Sequence, residues 1–427
     1  MRVLVLTNLY PPDVIGGYEL GCRQAVDALR ARGHDVLVLT IAPRTPALAE
    51  PHVRRSFRLA EVWNSNRYVI NRSHDVSNRL TEAEATGVSS YNVHVLTRAV
   101  EEFRPDVAYV WHLVGVGGLG LMATLQHLRL PWVWHLMDDV PVQLCRSRGR
   151  VVEPILAEVA RQLDGSFLAC SEQLVAEVEA GGIPLRGRVE IVPNWVVGPA
   201  PAPRAEFYRP GATLRIMAAG QVAQHKGVDL LIEAVARLRS RGREGLAVDI
   251  YGSVEDATFP ALARRLGVDR LVRFRGPRPQ AELQDLYSHH DVFAFPTWSR
   301  EPFAFAPLEA ARRGCVPLMS GRCGNAEWAV HGVHCLKAER TPEAFAEALL
   351  AVMDGIVDLG PLARRGAATV GRDFHLDRVA PRIERALVAA ADTRRGEVHP
   401  GTAAEAYRMA LLAEKLANVL IQEAAHA

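Results

Sequence analysis

Short apolar runs alternate with helix-like amphipathic stretches along most of this chain, and the alternation limits the folds open to it. In the first half, such runs lie at Val3–Leu6, Val36–Leu39, Val107–Trp111, Trp132–Leu136, Ser166–Cys170 and Val189–Val192. The second half repeats the pattern with Leu214–Ala219, Val248–Tyr251, Leu271–Phe274, Val292–Phe295 and Val316–Met319. Apolar strands that are separated by helices favour parallel sheets with crossover helices. The sequence therefore predicts an α/β fold of doubly wound parallel sheets.

A Pro-rich segment, residues 192–203, separates the two sets of strands and is typical of a linker between domains. A chain of 427 residues also suits two domains of ordinary size. We predict an N-terminal domain of residues 1–195, with an elaborated loop at about 42–95, and a C-terminal domain of residues 196–375. Two such sheets should face a central cleft, where the carboxyl ends of their strands bind ligands.

Two segments have more than one interpretation. Residues 376–427 are predicted to form C-terminal helices that pack back across the domains, but the amphipathic stretch Ala403–Gln422 also suits a homodimer contact. An arginine-rich run between Arg54 and Arg79 is typical of a solvated face. The alternative is that it contacts an anionic acceptor or, peripherally, a membrane surface.

Composition excludes several classes of protein. Hydrophobic residues make up 49% and charged residues 23% of the chain, as in ordinary globular proteins. The formal net charge of +2 indicates no surface for nucleic acid, and no apolar run is long enough to span a membrane. The N-terminus is strand-like rather than signal-like, and the six cysteines lack CxxC or zinc spacing. We therefore expect a cytoplasmic location, with no bound metal and no nucleic-acid partner.

Lysine occurs at only three positions, whereas arginine is abundant, so each lysine is a candidate for a chemical role. Lys226 follows the predicted strand Leu214–Ala219, in a loop that opens the next helix. A lysine on such a loop is a typical ligand for an anion, although many loop lysines are simply solvated. The neighbouring His225 and Gly227 favour the anion-binding interpretation.

Two carboxylates, Glu301 and Glu309, bracket the stretch Pro302–Leu308. Pro302 suits the first position of a helix, because its missing N–H would be unpaired there. Glu301 would then lie at the start of the helix and Glu309 about two turns inside it, roughly 12 Å away. The N–H groups between them would attract phosphate, so the pair suits a ligand with hydroxyls on both sides of a diphosphate. The alternative is two carboxylates on a solvated helix.

Several short motifs occur in a fixed order along the chain. They are Pro11-Pro12, Gly16-Gly17-Tyr18-Glu19, Arg32-Gly33-His34-Asp35-Val36, Pro193-Asn194-Trp195, His225-Lys226-Gly227-Val228-Asp229, Asp291-Val292-Phe293-Ala294-Phe295-Pro296, the Glu301–Glu309 pair and Gly324-Asn325-Ala326-Glu327. Over most of the chain they resemble family 4 of the retaining GT-B glycosyltransferases, the glycosyl transferases of group 1. The resemblance implies two Rossmann-like domains that face a central cleft, and transfer of a sugar from a nucleoside-diphosphate sugar.

The resemblance also implies roles for residues of the C-terminal domain. Glu301 would contact hydroxyls of the donor sugar, and Glu309 would hold the ribose hydroxyls. Lys226 would neutralise the diphosphate, whose charge grows as it leaves. The N–H groups that would assist it belong to Phe303, Ala304 and Phe305. Catalysis is thus expected from Lys226 and Glu301, together with a histidine of the N-terminal domain.

Further nucleotide-sugar contacts are implied at Gly16, Gly17, Gln221 and Arg275. The two glycines would let the backbone approach the donor phosphate closely. Arg275 would lie beside the base, at the strand edge Val272–Gly276. Gln221 stands where many relatives have arginine, and Ala304 where the usual residue is glycine, so both departures alter the phosphate site.

The histidine that relatives place near the donor sugar is displaced in this chain. Relatives often have Leu-His-Asp, whereas this sequence has His135-Leu136-Met137-Asp138-Asp139. Since alternate residues of a strand share a face, we predict that His135 takes the role instead of Met137. Asp138 is the alternative for holding a sugar hydroxyl. His112, at the end of another predicted strand, is a candidate for the acceptor side or for the core.

The implied reaction keeps the anomeric configuration, by attack on the face that the diphosphate leaves, and needs no metal and no cofactor. The acceptor would be a saccharide, a lipid-linked glycan or a small natural product. Two alternatives keep the fold: a non-catalytic, degenerate sugar-nucleotide-binding protein, and an epimerase or phosphorylase that acts on sugar nucleotides. Only the departures at Met137 and Gln221 support the non-catalytic alternative.

Overall fold

The computed structural model describes residues 1–43, 49–59, 87–145, 152–185, 187–254 and 257–393. The first of its two units comprises Met1–Cys170, Leu174–Val192 and the described chain from Ala380 onward. The second unit comprises Ser171–Gln173 and Pro193–Val379. The stretch Ala403–Gln422 and most of the arginine-rich run lie outside the described residues. Within the described residues, no helix combines the length and the apolar character that a membrane span requires.

The first unit contains a parallel sheet with the strand order β3-β2-β1-β4-β5-β6-β7. Its strands are β1 (Arg2–Leu6), β2 (Asp35–Ile41), β3 (Val53–Phe57), β4 (Val107–Val110), β5 (Trp132–Leu136), β6 (Ser166–Ala169) and β7 (Val189–Ile191). The helices in this half of the chain are α1 (Gly17–Ala31), α2 (Ser90–Phe103), α3 (Gly118–His127), α4 (Val140–Cys145), α5 (Val152–Arg161) and α6 (Glu172–Ala180). The strand order reverses between β1 and β4, so the crevice for a ligand is expected beyond their carboxyl ends.

The second unit repeats the design with the strand order β10-β9-β8-β11-β12-β13. Its strands are β8 (Leu214–Ala219), β9 (Leu246–Tyr251), β10 (Val272–Phe274), β11 (Val292–Phe295), β12 (Val316–Ser320) and β13 (Leu336–Ala338). The helices that follow are α7 (Val228–Ser240), α8 (Thr258–Arg265), α9 (Gln280–Ser288), α10 (Phe305–Arg312), α11 (Pro342–Met353), α12 (Leu359–Asp373) and α13 (Leu376–Thr393). Here the order reverses between β8 and β11, whose following loops carry Lys226 and Glu301.

All the predicted strands are present and both sheets are parallel, so the predicted α/β fold is confirmed. The central strands are apolar on both faces because helices cover both sides of a doubly wound sheet. In β1, for example, Val3–Leu6 are fully buried, and Leu4 lies between Leu37 of β2 and Ala108 of β4.

Two edge strands, β3 and β13, are absent from the prediction. The residues of β3, Val53–Phe57, are mostly half-buried and fall within the stretch predicted as an elaborated loop. The three residues of β13, Leu336–Ala338, form a run too short to stand out. An edge strand is bonded on one side only, so its sequence carries a weaker apolar pattern.

The predicted start of the helix at Pro302 is wrong, because α10 begins at Phe305. The preceding Ala304 is extended, with φ −73° and ψ 148°. The buried Asn325 amide holds it there: Ala304 N–H donates to Asn325 Oδ1 (2.7 Å), and Asn325 Nδ2 donates to Ala304 O (2.8 Å). Glu309 is therefore the fifth residue of the helix, about one turn inside it.

Gly324 lets the Asn325 segment approach this stretch closely. Its N–H donates to Glu301 O (2.9 Å), and a Cβ on Gly324 would lie only 1.5 Å from Pro302 O. Asn194 also donates its amide to Phe303 O. Tertiary hydrogen bonds thus keep residues 301–304 out of the helix, although Pro302 alone suits a helix start.

We expect Asn325→Ala to lower the free energy of unfolding by about 1–3 kcal/mol, because it leaves the partly buried N–H and C=O groups of Ala304 unpaired. Urea denaturation would measure the loss. Ser288→Ala is the matched control, since it removes an exposed hydrogen bond, to Asp285 O (2.6 Å), that water replaces. Equal stability of the Asn325 and Ser288 variants would contradict this account of the helix start.

Helix α13 is tied to the turn after α1 through Glu384. The carboxylate accepts from Arg32 Nε (2.7 Å) and lies 2.7 Å from His34 Nε2. The hydrogen bond from Arg32 is the main reason that the pKa of Glu384 is lowered. The folded state therefore binds a proton at Glu384 less readily than the unfolded state.

Glu384→Gln should destabilise the protein by about 0.5–1 kcal/mol at pH 7, the usual range for a partly exposed ion pair. The contribution is present above the ordinary carboxyl pKa and is lost as pH falls through the lowered folded pKa. Melting temperatures of the wild type and the variant should therefore converge in acid. In a double-mutant cycle, adding Arg32→Ala to Glu384→Gln should cost little more, whereas full additivity would show that the two do not interact.

Candidate functional site

Lys226 lies in a short 3-10 turn, Gln224–Lys226, between β8 and α7. Gly227 follows with φ +73°, a conformation that favours glycine, and a Cβ there would lie 2.1 Å from Pro296 O at the end of β11. Trp298 N–H also donates to His225 O (2.9 Å). The loop after β8 is thus in direct contact with the loop after β11.

The structure brings Lys226 and Glu301 together as an ion pair. Glu301 is only 7% exposed, and its Oε2 also accepts from Thr297 Oγ1 (3.1 Å). A buried carboxylate needs such partners, because its desolvation is otherwise costly. Lys226 keeps about a quarter of its side chain exposed, so its ammonium can also meet a ligand.

Glu309 lies on α10 and is oriented by α9. Gln280 Nε2 donates to its Oε1, and Tyr287 Oη lies 3.4 Å from its Oε2. Burial raises the pKa of the Glu309 carboxyl, although the bond from Gln280 opposes the shift. Glu309 is thus a preoriented acceptor for hydroxyl groups, and its partners differ from those of the Lys226–Glu301 pair.

The backbone N–H groups that are available at the N-terminus of α10 are not all the ones that were predicted. The N–H of Ala304 is bonded to Asn325, so Ala304 is not the phosphate donor that the sequence predicts. The first-turn N–H groups of Phe305 and Ala306 have no partner within the helix itself, and Pro307 has no N–H. These first-turn groups and the helix dipole give this end of α10 a positive character.

Arg275 is held by Asp249 at the end of β10. Its Nε donates to Asp249 Oδ1 (2.7 Å), and Arg273 Nε lies 3.0 Å from the same oxygen. Burial alone would raise the pKa of Asp249, but hydrogen bonds from Arg275 and His290 lower it overall. Arg275 is about two-fifths exposed, so it still presents part of its guanidinium to solvent. Gln221 is half-buried and follows Gly220 at the end of β8.

In the first unit, Gly16 precedes α1 and is exposed. Its N–H donates to Glu19 Oε2 (2.9 Å), which also accepts from Ile15 N–H (3.2 Å). A Cβ on Gly16 would have no described atom within 4 Å, and its φ of −162° is open to any residue. Packing therefore does not require glycine at this position, and the space beside it is open. Gly17 is the first residue of α1.

His135 is fully buried in β5, which conflicts with its predicted place at an open site. Its Nδ1 lies 2.6 Å from Tyr109 Oη, and its ring packs on Trp111, with centroids 4.5 Å apart. Burial lowers its pKa to about 3. Alternation along a strand predicts the face of His135, but Met137 lies nearer the open end of the strand and is half-buried.

His112 lies at the end of β4, beside the switch point of the first sheet. Asn8 Nδ2 donates to His112 Nδ1 (2.8 Å) and to Val114 O (2.9 Å). His112 Nδ1 is therefore an acceptor, and Nε2 carries the proton. Burial lowers the pKa of His112 to about 4, so the ring is neutral at pH 7.

Tyr18 joins this group, because its ring contacts His112 edge-on at 4.9 Å and its hydroxyl accepts from Met137 N–H (2.9 Å). Asp138 lies beyond Met137, and its Oδ1 accepts from Asp139 N–H (2.8 Å), just before α4. This hydrogen bond is typical of a side chain that caps a loop. The half-buried Asp138 stays a candidate for a sugar hydroxyl.

Sequence reasoning missed the residues that orient this site. Asn325 belongs to a motif quoted above, which is the one signal that pointed to it. Thr297, Gln280 and Asn8 carry no comparable signal, because their importance depends on contacts between distant segments.

Two family models match the chain. Residues 16–195 match the "Glycosyl transferase 4-like domain", and residues 213–355 match "Glycosyl transferases group 1". Glycogen synthase from Mycobacterium tuberculosis is 28% identical, over 94% of this chain and 97% of that protein. A D-inositol 3-phosphate glycosyltransferase from Corynebacterium aurimucosum is 30% identical, over 46% of this chain and 48% of that protein.

Solved structures show the same fold. HepE from Anabaena, in complex with UDP, superposes with a TM-score of 0.66 at 17% identity, and covers 91% of this chain and 100% of HepE. Sucrose-phosphate synthase from Thermosynechococcus elongatus gives 0.68 at 16% identity, over 91% of this chain and 99% of that one. The chain belongs to the group 1 glycosyltransferases and has the GT-B fold.

Proposed function

We propose that the protein is a retaining glycosyltransferase that moves a sugar from a nucleoside-diphosphate sugar to a saccharide, a lipid-linked glycan or a small natural product. The observation that carries the proposal is the Lys226–Glu301 pair at the switch point of the second sheet, beside the N-terminus of α10. A cation, a buried carboxylate and a helix N-terminus suit a ligand with both phosphates and hydroxyls.

The donor diphosphate would take over the ammonium of Lys226, and the first-turn N–H groups of α10 would bind its oxygens. Charge on the diphosphate grows as the bond to the sugar breaks, so these groups stabilise the transition state more than the bound donor. Glu301, relieved of Lys226, would accept hydrogen bonds from hydroxyls of the sugar. Lys226 and the helix thus supply the positive charge, and we propose that the reaction uses neither a metal nor a cofactor.

Glu309 would hold the ribose hydroxyls, because Gln280 already orients its carboxylate as an acceptor. In the first unit, the backbone at Gly16 and Gly17 would approach the donor phosphate. His112 would donate from Nε2 to an oxygen of the sugar or of the acceptor, a role that the buried His135 is poorly placed to fill.

In the proposed reaction, an acceptor oxygen bonds to the anomeric carbon on the face that the diphosphate leaves. The bond from that carbon to the phosphate oxygen breaks, and this oxygen takes the proton of the acceptor hydroxyl. The configuration is then retained, and no side chain has to act as a strong base.

The relatives support a nucleotide-sugar donor, since HepE is solved with UDP and with UDP-glucose. All six cysteines fall within the described residues and are buried thiols, which suits a reducing compartment. We therefore propose that the protein acts in the cytoplasm.

Lys226→Ala should lower the rate of sugar transfer by about 10²–10³-fold, because it removes the cation at the leaving group. The slow hydrolysis of donor that occurs without an acceptor should fall by the same factor. The measurement is release of nucleoside diphosphate from a panel of UDP-, ADP- and GDP-sugars. Glu301→Gln should also reduce release, because it weakens the acceptor for sugar hydroxyls.

Arg237→Ala is the matched control, because it deletes an exposed cation of α7 that pairs with Glu343. It should leave release unchanged. Release that survives Lys226→Ala would show that the site lies elsewhere. If the wild type binds donors without releasing diphosphate, the non-catalytic alternative would replace the transferase.

Gly16→Ser should lower kcat/KM for the donor at least about tenfold while leaving stability nearly unchanged. Serine is a better residue than alanine before a helix, and no described atom lies near its Cβ, so the fold has no reason to lose stability. The added atoms would instead occupy the space that we assign to the donor phosphate. Unchanged kcat/KM would show that the donor does not approach Gly16.

A further inference from the structure

Arg340 follows the edge strand β13 and reaches two loops of the second unit. Its Nη2 donates to Gln224 O (2.8 Å), with a longer contact to His225 O (3.5 Å). Its Nε donates to Pro296 O (3.2 Å). Gln224 and His225 directly precede Lys226, and Pro296 follows β11 on the way to Glu301.

The guanidinium therefore bridges the loops that carry the two charged groups of the site. The loops already touch where Trp298 N–H donates to His225 O, and where Gly227 passes Pro296 O. Each of those contacts involves one residue of each loop, whereas the planar guanidinium of Arg340 donates to backbone carbonyls of both loops at once. Lys226 and Glu301 face each other only while the loops keep this spacing.

We propose that Arg340 is a positioning residue, which holds the Lys226 loop against the Glu301 loop and so sets the binding site for the donor diphosphate. The inference rests on the proposed function. Arg340 acts through backbone carbonyls and not through a bond to the sugar or to the reacting atoms. Its side chain is exposed, so water can replace its hydrogen bonds, and its loss should loosen the site without unfolding the unit.

The test compares the wild type, Arg340→Ala and Arg340→Lys in the full chain. Calorimetric titration would measure binding of UDP, ADP and GDP, and of the nucleosides uridine, adenosine and guanosine. Both variants should bind the preferred diphosphate about tenfold or more weakly and raise the donor KM, and kcat should fall as well, because Lys226 stabilises the transition state more than the bound donor. Binding of the nucleoside should stay within about twofold, because the base site does not depend on these loops.

Arg340→Lys distinguishes the positioning of the two loops from a simple effect of positive charge near the diphosphate. An ammonium keeps the positive charge near the diphosphate, but it lacks the planar fork that serves two carbonyls. If Arg340→Lys binds diphosphate like the wild type, charge alone matters and the inference is overturned. Arg241→Ala is the matched control, since it removes an exposed arginine of the same unit that binds Glu347, and it should change no affinity.

The remaining outcomes also decide the matter. Wild-type affinity in Arg340→Ala would overturn the inference and leave the proposed function intact. A matching loss of nucleoside binding, or a large fall in melting temperature, would indicate general disorder and overturn it as well. If the wild type itself binds no diphosphate, the proposed function fails and the inference fails with it.

Discussion

The buried amide of Asn325 fixes the conformation on which the second unit's site depends. By bonding both the N–H and the C=O of Ala304, it keeps Ala304 extended and delays the start of α10 until Phe305. Glu301 thereby stays on a loop, where it meets Lys226, rather than in the first turn of a helix. The same delay leaves Glu309 one turn inside α10, next to Gln280. Asn325, together with the hydrogen bonds from Asn194 to Phe303 O and from Gly324 to Glu301 O, thus sets where both carboxylates lie.

The ion pair of Lys226 and Glu301 has two consequences. Each group satisfies the other, which limits the cost of burying a carboxylate that is 7% exposed. If donor phosphates take over the ammonium, as we propose, the carboxylate would lose its cation and would need new hydrogen-bond donors. Sugar hydroxyls are such donors, so binding of phosphate and binding of sugar should reinforce each other. Thr297, which donates to Glu301, would reduce the cost of the proposed exchange.

Much of the fold could be predicted from the sequence, because central strands of parallel sheets are buried on both faces and therefore uniformly apolar. The edge strands β3 and β13 lack that signal. The helix start at Pro302 was a sound local inference, but local preference gave way to hydrogen bonds from Asn325 and Asn194. The roles assigned to Lys226, Glu301 and Glu309 remain predictions, and the structure adds that the first two are paired.

The histidines show why a site is harder to predict than a strand. A period of two tells which face of β5 carries His135, yet a residue within the strand is covered by its neighbours, here Tyr109 and Trp111. Residues beyond the strand end are covered less completely, and His112, two residues past the end of β4, is half-buried rather than fully buried. How deeply a strand residue is buried depends on where the neighbouring strands and loops end, and the sequence of one segment does not show this. For a switch-point site, the residues just past each strand end are therefore better candidates than those within the strand.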